Sequence, residues 1–278
     1  MSVEALPYTL LLLLGQFTAG TAGAVVLVQL RGTYEPAFIR ICAWIVAGGA
    51  ALTLLAAMTI DPRDEIGGYA LRDGLMDPIA AVSLALLLFS CAYVYFIRRE
   101  EGEFLAVATG ATSLGLGVAL LVMLASLVDG PAWSFAGPLL TLVAGGLSLG
   151  LITVAMIWGH WYLVKPQTPP EPLNYLILLV MAVLAFEIFA TALNAIVPVG
   201  QPFESDALLA VDLPENPGFW LRVGVGLVFP AVLAFMAYRS SREQSMMSAT
   251  GLLYIAVGAV LAGEALGRGL LFVTGAAV

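Results

Sequence analysis

The 278-residue chain is 61% hydrophobic and only 11% charged, which excludes an ordinary soluble domain, where about a quarter of the residues carry charge. Its formal net charge of −8 argues against nucleic acid as a partner. The composition predicts an integral membrane protein that crosses the lipid bilayer of the cell membrane several times.

Eight apolar runs follow one another along the chain, each long enough to cross a bilayer. The runs are continuous rather than alternating, so they predict helices rather than β-strands. We predict an all-α fold, one transmembrane domain over residues 1–278, and spans at Leu6–Leu30, Pro36–Ile60, Met76–Ile97, Phe104–Val128, Gly137–Val164, Leu173–Val197, Pro217–Tyr238 and Met246–Thr274. We expect no removable signal peptide, because the start lacks basic residues and the first apolar run is too long.

The basic residues between the spans predict the orientation, since Lys and Arg concentrate on the cytoplasmic side. That side would carry Arg31, Arg40, Arg98, Arg99, Lys165, Arg239 and Arg242, and the other side Arg63, Arg72, Arg222 and Arg268. An even number of spans then places both termini on the extracytoplasmic side.

The two long loops, Asp61–Leu75 and Pro198–Asn216, both fall on the predicted outer side and are rich in acidic residues. Long loops with proline and charge often form binding surfaces, whereas short ones only connect helices. We interpret these loops as docking surfaces for an extracytoplasmic partner; the alternative is ordinary solvated loops.

The chain contains no nucleotide-binding loop, zinc spacing, nucleophile elbow or serine triad. Cys42 and Cys91 lie inside apolar runs, so we expect small buried hydrophobic residues rather than a disulfide or a metal site. We therefore predict no metal in this chain and no catalytic activity of the chain alone.

The polar residues inside the spans are few, and they rank as the candidate site: Gln16, Glu187, Asn194, Glu264 and Arg268. Charges in a spanning helix are costly and by default mark function. Glu264 and Arg268 are four residues apart and can form an ion pair on one helix face. This pair either staples helices together or lines a polar pocket whose donors and carboxyl groups could bind a quinone and accept a proton.

His160 is the only histidine and lies in an aromatic run, Trp158–Tyr162, near the end of the fifth span. Trp and Tyr are typical of the membrane interface. A lone His cannot supply both axial ligands of a six-coordinate haem. His160 is therefore a secondary candidate, either as an interfacial residue or as part of a proton relay or second ligand site.

Two stretches resemble one family of membrane proteins. Leu14–Gly20 (LGQFTAG) resembles the start of the first helix, and Gly263–Phe272 (GEALGRGLLF) the last helix, of the NrfD/DmsC/polysulfide-reductase-C-like membrane anchors of respiratory oxidoreductases. The resemblance implies two packed four-helix bundles and a quinone site (menaquinone or ubiquinone) near the outer face. It also implies two partners, an extracytoplasmic iron–sulfur or cytochrome subunit and a catalytic subunit.

The sequence departs from that family after the second span. Such anchors usually have a His-Leu-Gly stretch there, whereas this chain has Met58–Pro62 (MTIDP). If the resemblance holds, quinol chemistry must use the polar residues of the spans: Gln16, Glu187, Glu264 or Arg268.

Three other functions compete with a quinone-interacting anchor subunit. The buried charges also suit a channel or transporter for a small solute or ion, although no internal repeat is apparent. A purely structural subunit would have all its polar residues in interhelical pairs. A haem-binding subunit would use His160.

Overall fold

The computed structural model describes residues 4–66, 69–97, 102–128, 135–165, 171–196 and 213–278. Within these ranges the protein is an all-α multi-pass membrane protein with eight helices long and apolar enough to span a bilayer. They are α1 (Ala5–Arg31), α2 (Pro36–Thr59), α3 (Met76–Phe96), α4 (Glu103–Leu127), α5 (Ala136–Val164), α6 (Glu171–Ile196), α7 (Pro217–Arg242) and α8 (Met246–Thr274). The predicted spans are confirmed, with ends that differ by a few residues.

The helices pack as two groups of four. Helices α1 to α4 each contact the next, and α4 closes the group against α1; α5 to α8 repeat this pattern, with α8 against α5. The two groups join chiefly along α1 and α5, with a further contact between α1 and α8. The ring of Tyr8 near the start of α1 lies 6.5 Å from that of Phe272 near the end of α8, so both termini lie at the same end of the molecule. Which side of the membrane this end faces stays a prediction.

Glycines allow α1 and α5 to approach closely. A Cβ on Gly20 would overlap the backbone of Gly146, and a Cβ on Gly150 would overlap the backbone of Gly20. Close backbone packing through small residues is a main source of helix association in lipid, where apolar side chains gain little from leaving the solvent. The contact between the two bundles therefore depends on these glycines.

The first long loop is partly a structural cap. Its two-residue strands β1 (Glu65–Ile66) and β2 (Tyr69–Ala70) pair antiparallel, and both Ile66 and Tyr69 are buried. Tyr69 donates a hydrogen bond to the carbonyl of Val128 at 2.9 Å and packs its ring on Phe272 at 5.6 Å. The acidic side chains of this loop remain exposed, so its role as a docking surface stays a prediction.

The second long loop was predicted at Pro198–Asn216, and its residues 198–212 lie outside the described part of the chain. The cysteine prediction is half right: both thiols are free, Cys42 is buried, and Cys91 is exposed on α3. An exposed position on a spanning helix faces lipid, which suits an apolar thiol as well as the core does.

Because α1 and α5 pack closely, we expect two Gly-to-Ala substitutions to change the stability of the protein differently. Gly150→Ala should lower the free energy of unfolding by about 1–3 kcal/mol, because the new methyl group meets rigid backbone. The matched control Gly115→Ala, on an open face of α4, should be neutral or stabilise by up to about 1 kcal/mol. Thermal unfolding in detergent measures the stability of both variants. An equal change in the two would contradict the close packing of α1 against α5.

Candidate functional site

The candidate site centres on the carboxylate of Glu264, which is completely buried on α8. Its Oε2 accepts hydrogen bonds from Gln16 Nε2 at 2.7 Å and from Arg268 Nη2 at 2.8 Å. Its Oε1 lies 2.6 Å from Nη2 of Arg222, which reaches in from α7. The predicted Glu264–Arg268 pair is therefore present, but it is one part of a larger network.

Arg222 links this carboxylate to a second one. The same Nη2 atom donates to Glu187 Oε1 at 2.5 Å, so one guanidinium nitrogen contacts carboxylates of both α6 and α8. Two arginines and two glutamates thus lie together at no more than 1% exposure each, and their formal charges sum to zero when all four are ionised. We call Gln16, Glu187, Arg222, Glu264 and Arg268 the charge cluster.

The charge cluster holds five helices together. Arg268 also donates to Thr141 on α5, from Nη1 to Oγ1 at 3.0 Å and from Nη2 to the backbone carbonyl at 3.1 Å. With Gln16 on α1, the network crosses from one bundle to the other. Glu264 lies ten residues before the end of α8, which at the helical rise is about 15 Å from that end. The cluster therefore occupies the half of the membrane span nearer the two termini.

Glycines make room for the charged groups. A Cβ on Gly145 would overlap the Glu264 carboxylate, so α5 has its gap where that side chain enters. A Cβ on Gly226 or on Gly263 would overlap the Cα of the other, which brings α7 and α8 into backbone contact beside Arg222. These small residues allow the two carboxylates to contact the same guanidinium.

Arg222 opens a π-helical segment, Arg222–Val228, inside α7. Such segments insert one extra residue into a helix, change the direction of the side chains around it, and occur often at functional sites. Here the Phe229 amide donates to the carbonyl of Gly224, five residues back. The π-helical segment therefore begins at the residue whose side chain points into the bundle, since Arg222 is 1% exposed.

Several polar atoms of the cluster are buried without a hydrogen-bond partner. They are Nε and Nη1 of Arg222, Nε of Arg268, Oε1 of Gln16, Oε2 of Glu187, and Oε1 of Glu264, which has only its ion-pair contact with Arg222. Buried polar groups are normally satisfied, and each unsatisfied one costs about 1–3 kcal/mol. A region that keeps both donors and acceptors open can bind a ligand that has both kinds of group.

Asn194 was predicted to share a pocket with Glu187, but the structure gives it other partners. Its Nδ2 donates to the carbonyls of Gly137 at 3.1 Å and Ala277 at 2.8 Å. It therefore ties residues 275–278 to α5 and α6. Val278 of this segment is buried, and its backbone oxygen lies against Gly267, beside the Arg222 side chain. The segment covers the cluster from the end of the bundle.

His160 lies far from the charge cluster, near the opposite end of α5. It is exposed, and its Nδ1 lies 3.1 Å from the hydroxyl of Tyr254 on α8. The neighbouring Trp158 is buried against Tyr34 and Phe38 at ring distances of 4.7 and 4.8 Å. His160 and the cluster are thus separate features and cannot act on one bound group.

Sequence reasoning missed Arg222, which it counted among the basic residues of the outer side. The residue lies inside the predicted span Pro217–Tyr238, so the rule that selected Glu264 also applied to it. Its place only five residues after Pro217 suggested the interface instead. The structure corrects this: Arg222 is a buried member of the site and gives no information on orientation.

Comparison with known proteins adds no assignment to this geometry. No protein-family model and no curated protein sequence matches the chain. Function is therefore inferred from the charge cluster itself.

The shared arginine predicts a sharp contrast between a single and a double replacement. Arg222→Met leaves Glu187 as an unpaired buried charge and should lower the free energy of unfolding by about 3–5 kcal/mol. Arg222→Met with Glu187→Leu removes both members of a pair and leaves Glu264 bonded to Gln16 and Arg268. The double variant should regain most of the loss.

Chemical or thermal unfolding of the purified variants measures both effects. Arg239→Met is the matched control, because Arg239 is exposed on the same helix and should change the free energy of unfolding by less than about 0.5 kcal/mol. A double variant no more stable than Arg222→Met would show that charge balance does not govern the cluster.

Proposed function

We propose that the protein is a quinone-interacting membrane anchor subunit of a multi-subunit respiratory electron-transfer complex, with the charge cluster as its quinone site. Electrons pass between the quinone pool and an iron–sulfur or haem group of an extracytoplasmic partner subunit. In the direction of quinol oxidation, a bound quinol supplies two electrons and two protons. Activity on substrate belongs to a separate catalytic subunit of that complex.

The observation that carries this proposal is the set of unpartnered polar atoms within the charge cluster. The free guanidinium donors of Arg222 and Arg268 suit the carbonyl oxygens of a quinone. The free acceptor oxygens of Gln16 and Glu187 suit the hydroxyl groups of a quinol. A ligand with two carbonyl or hydroxyl groups on an apolar ring matches a few buried polar atoms in a hydrophobic setting.

The position of the resembling stretches also supports the proposal. Leu14–Gly20 and Gly263–Phe272 stand at opposite ends of the sequence, yet Gln16 and Glu264 are hydrogen-bonded to each other. The residues by which the chain resembles quinone-linked anchors therefore belong to one site. The site also lies in the half of the span nearer the termini, the half that the predicted orientation places outside.

Access to the site requires a movement of the chain, because every member of the cluster is at most 1% exposed. Residues 275–278 are the cover nearest to Arg222 and Gly267. This segment is held to the bundle by the hydrogen bond of Asn194 to Ala277, by the Gly275 and Ala276 amides, which donate to Leu271 and Thr274, and by packing of its three apolar side chains. Its displacement would open the end of the cluster to the membrane interface.

A structural role is the second candidate, and the ion pairs themselves favour it. Glu264 accepts hydrogen bonds from two side chains and forms an ion pair with Arg222, and the network joins both bundles. A buried network of this kind can fix helix positions without binding any ligand. The two candidates differ in what a neutral replacement does to ligand binding.

Quinone binding by the purified chain tests the proposal without its partner subunits. Saturating short-chain ubiquinone or menaquinone analogue should raise the thermal midpoint, by the equivalent of about 2.7 kcal/mol at a hundredfold excess over Kd. The double variant Arg222→Met/Glu187→Leu should lose this stabilisation, and so should Gln16→Ala. His160→Phe, at the opposite end, is the control and should keep it in full.

The outcomes separate the candidates. A full quinone-induced shift in both cluster variants would contradict the quinone site. The structural role would be favoured if quinone raises the thermal midpoint of no protein while Arg222→Met and the double variant change the free energy of unfolding as predicted above.

A further inference from the structure

The two carboxylates of the charge cluster differ in how fully they are bonded. Glu264 has three side-chain partners, Gln16, Arg222 and Arg268, which engage both of its oxygens. Glu187 has one ion-pair partner, Arg222, which contacts Oε1 alone. Its Oε2 is buried and has no hydrogen-bond partner. A proton can therefore add to Glu187 Oε2 away from any guanidinium, whereas each oxygen of Glu264 contacts one, Arg222 at Oε1 and Arg268 at Oε2.

The surroundings of Glu187 are suited to a neutral carboxyl as well as to a carboxylate. Glu264 lies on the other side of Arg222, and because both Oε1 atoms contact the same nitrogen, the two carboxyl groups are close neighbours. Like charges at such a distance disfavour double ionisation. From α5 the Ser148 hydroxyl, itself buried and unpartnered, faces Glu187. Arg268 is directed to Glu264 and Thr141 rather than to Glu187.

We propose that Glu187 is the proton-accepting group of the cluster, at Oε2, and that Arg222 is its positioning residue. On protonation, a quinol hydroxyl or a hydronium ion gives up H⁺, the electron pair of the broken O–H bond stays on the donor oxygen, and a new O–H bond forms on Glu187 Oε2. Arg222 then keeps its contact with Glu264, so that this carboxylate stays paired. Deprotonation breaks the O–H bond on Glu187 and restores its carboxylate beside Arg222. The role in quinol oxidation rests on the proposed function, whereas the uptake of a proton by Glu187 does not need the quinone.

Infrared titration of the purified chain without quinone tests the assignment directly. A buried protonated carboxyl group has a carbonyl stretch that shifts in D₂O, and this band should appear in the wild type as the pH falls. Glu187→Gln should remove it. Glu264→Gln should still show it at the acid end of the titration. Glu171→Gln, an exposed position at the start of the same helix, is the matched control and should leave the band unchanged.

A second variant keeps the test decisive if Glu187→Gln does not fold. Ser148→Ala leaves every charge in place and removes the hydroxyl that faces Glu187, so it should change the frequency of the band. An unchanged frequency would overturn the assignment. A band that disappears in Glu264→Gln but persists in Glu187→Gln would also overturn it, as would the absence of any such band in the wild type.

The infrared result and the quinone-binding result can fail separately. A Glu187 band in a protein that binds no quinone would contradict the proposed function and leave the proton-accepting group assigned. Quinone binding together with an infrared band that belongs to Glu264 would support the proposed function and overturn the assignment of Glu187. When both hold, Glu187→Gln should lower the rate of quinol oxidation by the intact complex, and with it the rate of proton release, at least tenfold, while Glu171→Gln keeps the wild-type rate.

Discussion

The structure depends on the carboxylate of Glu264 more than on any other single group. It accepts bonds from Gln16 on α1 and Arg268 on α8, and it pairs with Arg222 on α7. Its loss would leave two arginines sharing one glutamate inside a low-dielectric core. Interhelical hydrogen bonds in membranes contribute only about 0.6 kcal/mol on average, but an uncompensated buried charge costs several times more. Charge balance, rather than hydrogen bonding as such, therefore holds these helices in register.

The backbone around the cluster follows from the same constraint. Carboxylate and guanidinium groups reach each other here because α5 has a glycine at Gly145 and because α7 and α8 touch at Gly226 and Gly263. Bulkier residues would hold the helices apart and leave the charges unpaired. The many glycines of the spans thus have two roles. Those along α1 and α5 allow the two bundles to pack closely, and those near Glu264 leave space for the charged side chains.

The fold could be predicted from sequence because lipid leaves few alternatives. Eight continuous apolar runs require eight helices, and the observed ends agree with the predicted ends to within a few residues. The polar residues of the spans identified Gln16, Glu187, Glu264 and Arg268, which the structure brings together. Arg222 and Asn194 were misplaced for a physical reason. Each lies close to a helix end, where sequence cannot tell a side chain turned toward the interface from one turned into the core.

What sequence could not supply was the sharing of partners. The spacing of Glu264 and Arg268 predicted one ion pair, whereas the guanidinium of Arg222 connects two carboxylates from helices far apart in the chain. That sharing depends on the π-helical segment of α7 and on glycine contacts between α7 and α8. In the same cluster Glu187 Oε2 and the guanidinium Nε atoms have no hydrogen-bond partner, and the proposed quinone site depends on these atoms.

The most direct measurement of the central claim is photolabelling of the protein in native membranes with a photoreactive quinone, followed by mass spectrometry of the labelled peptides. If the charge cluster is the quinone site, label should appear on the segments of α1, α6, α7 and α8 that surround Gln16, Glu187, Arg222 and Glu264, and excess unlabelled quinone should prevent it. Label confined to the opposite end, around His160 and Tyr254, or spread along the lipid-facing helices without competition, would contradict the account.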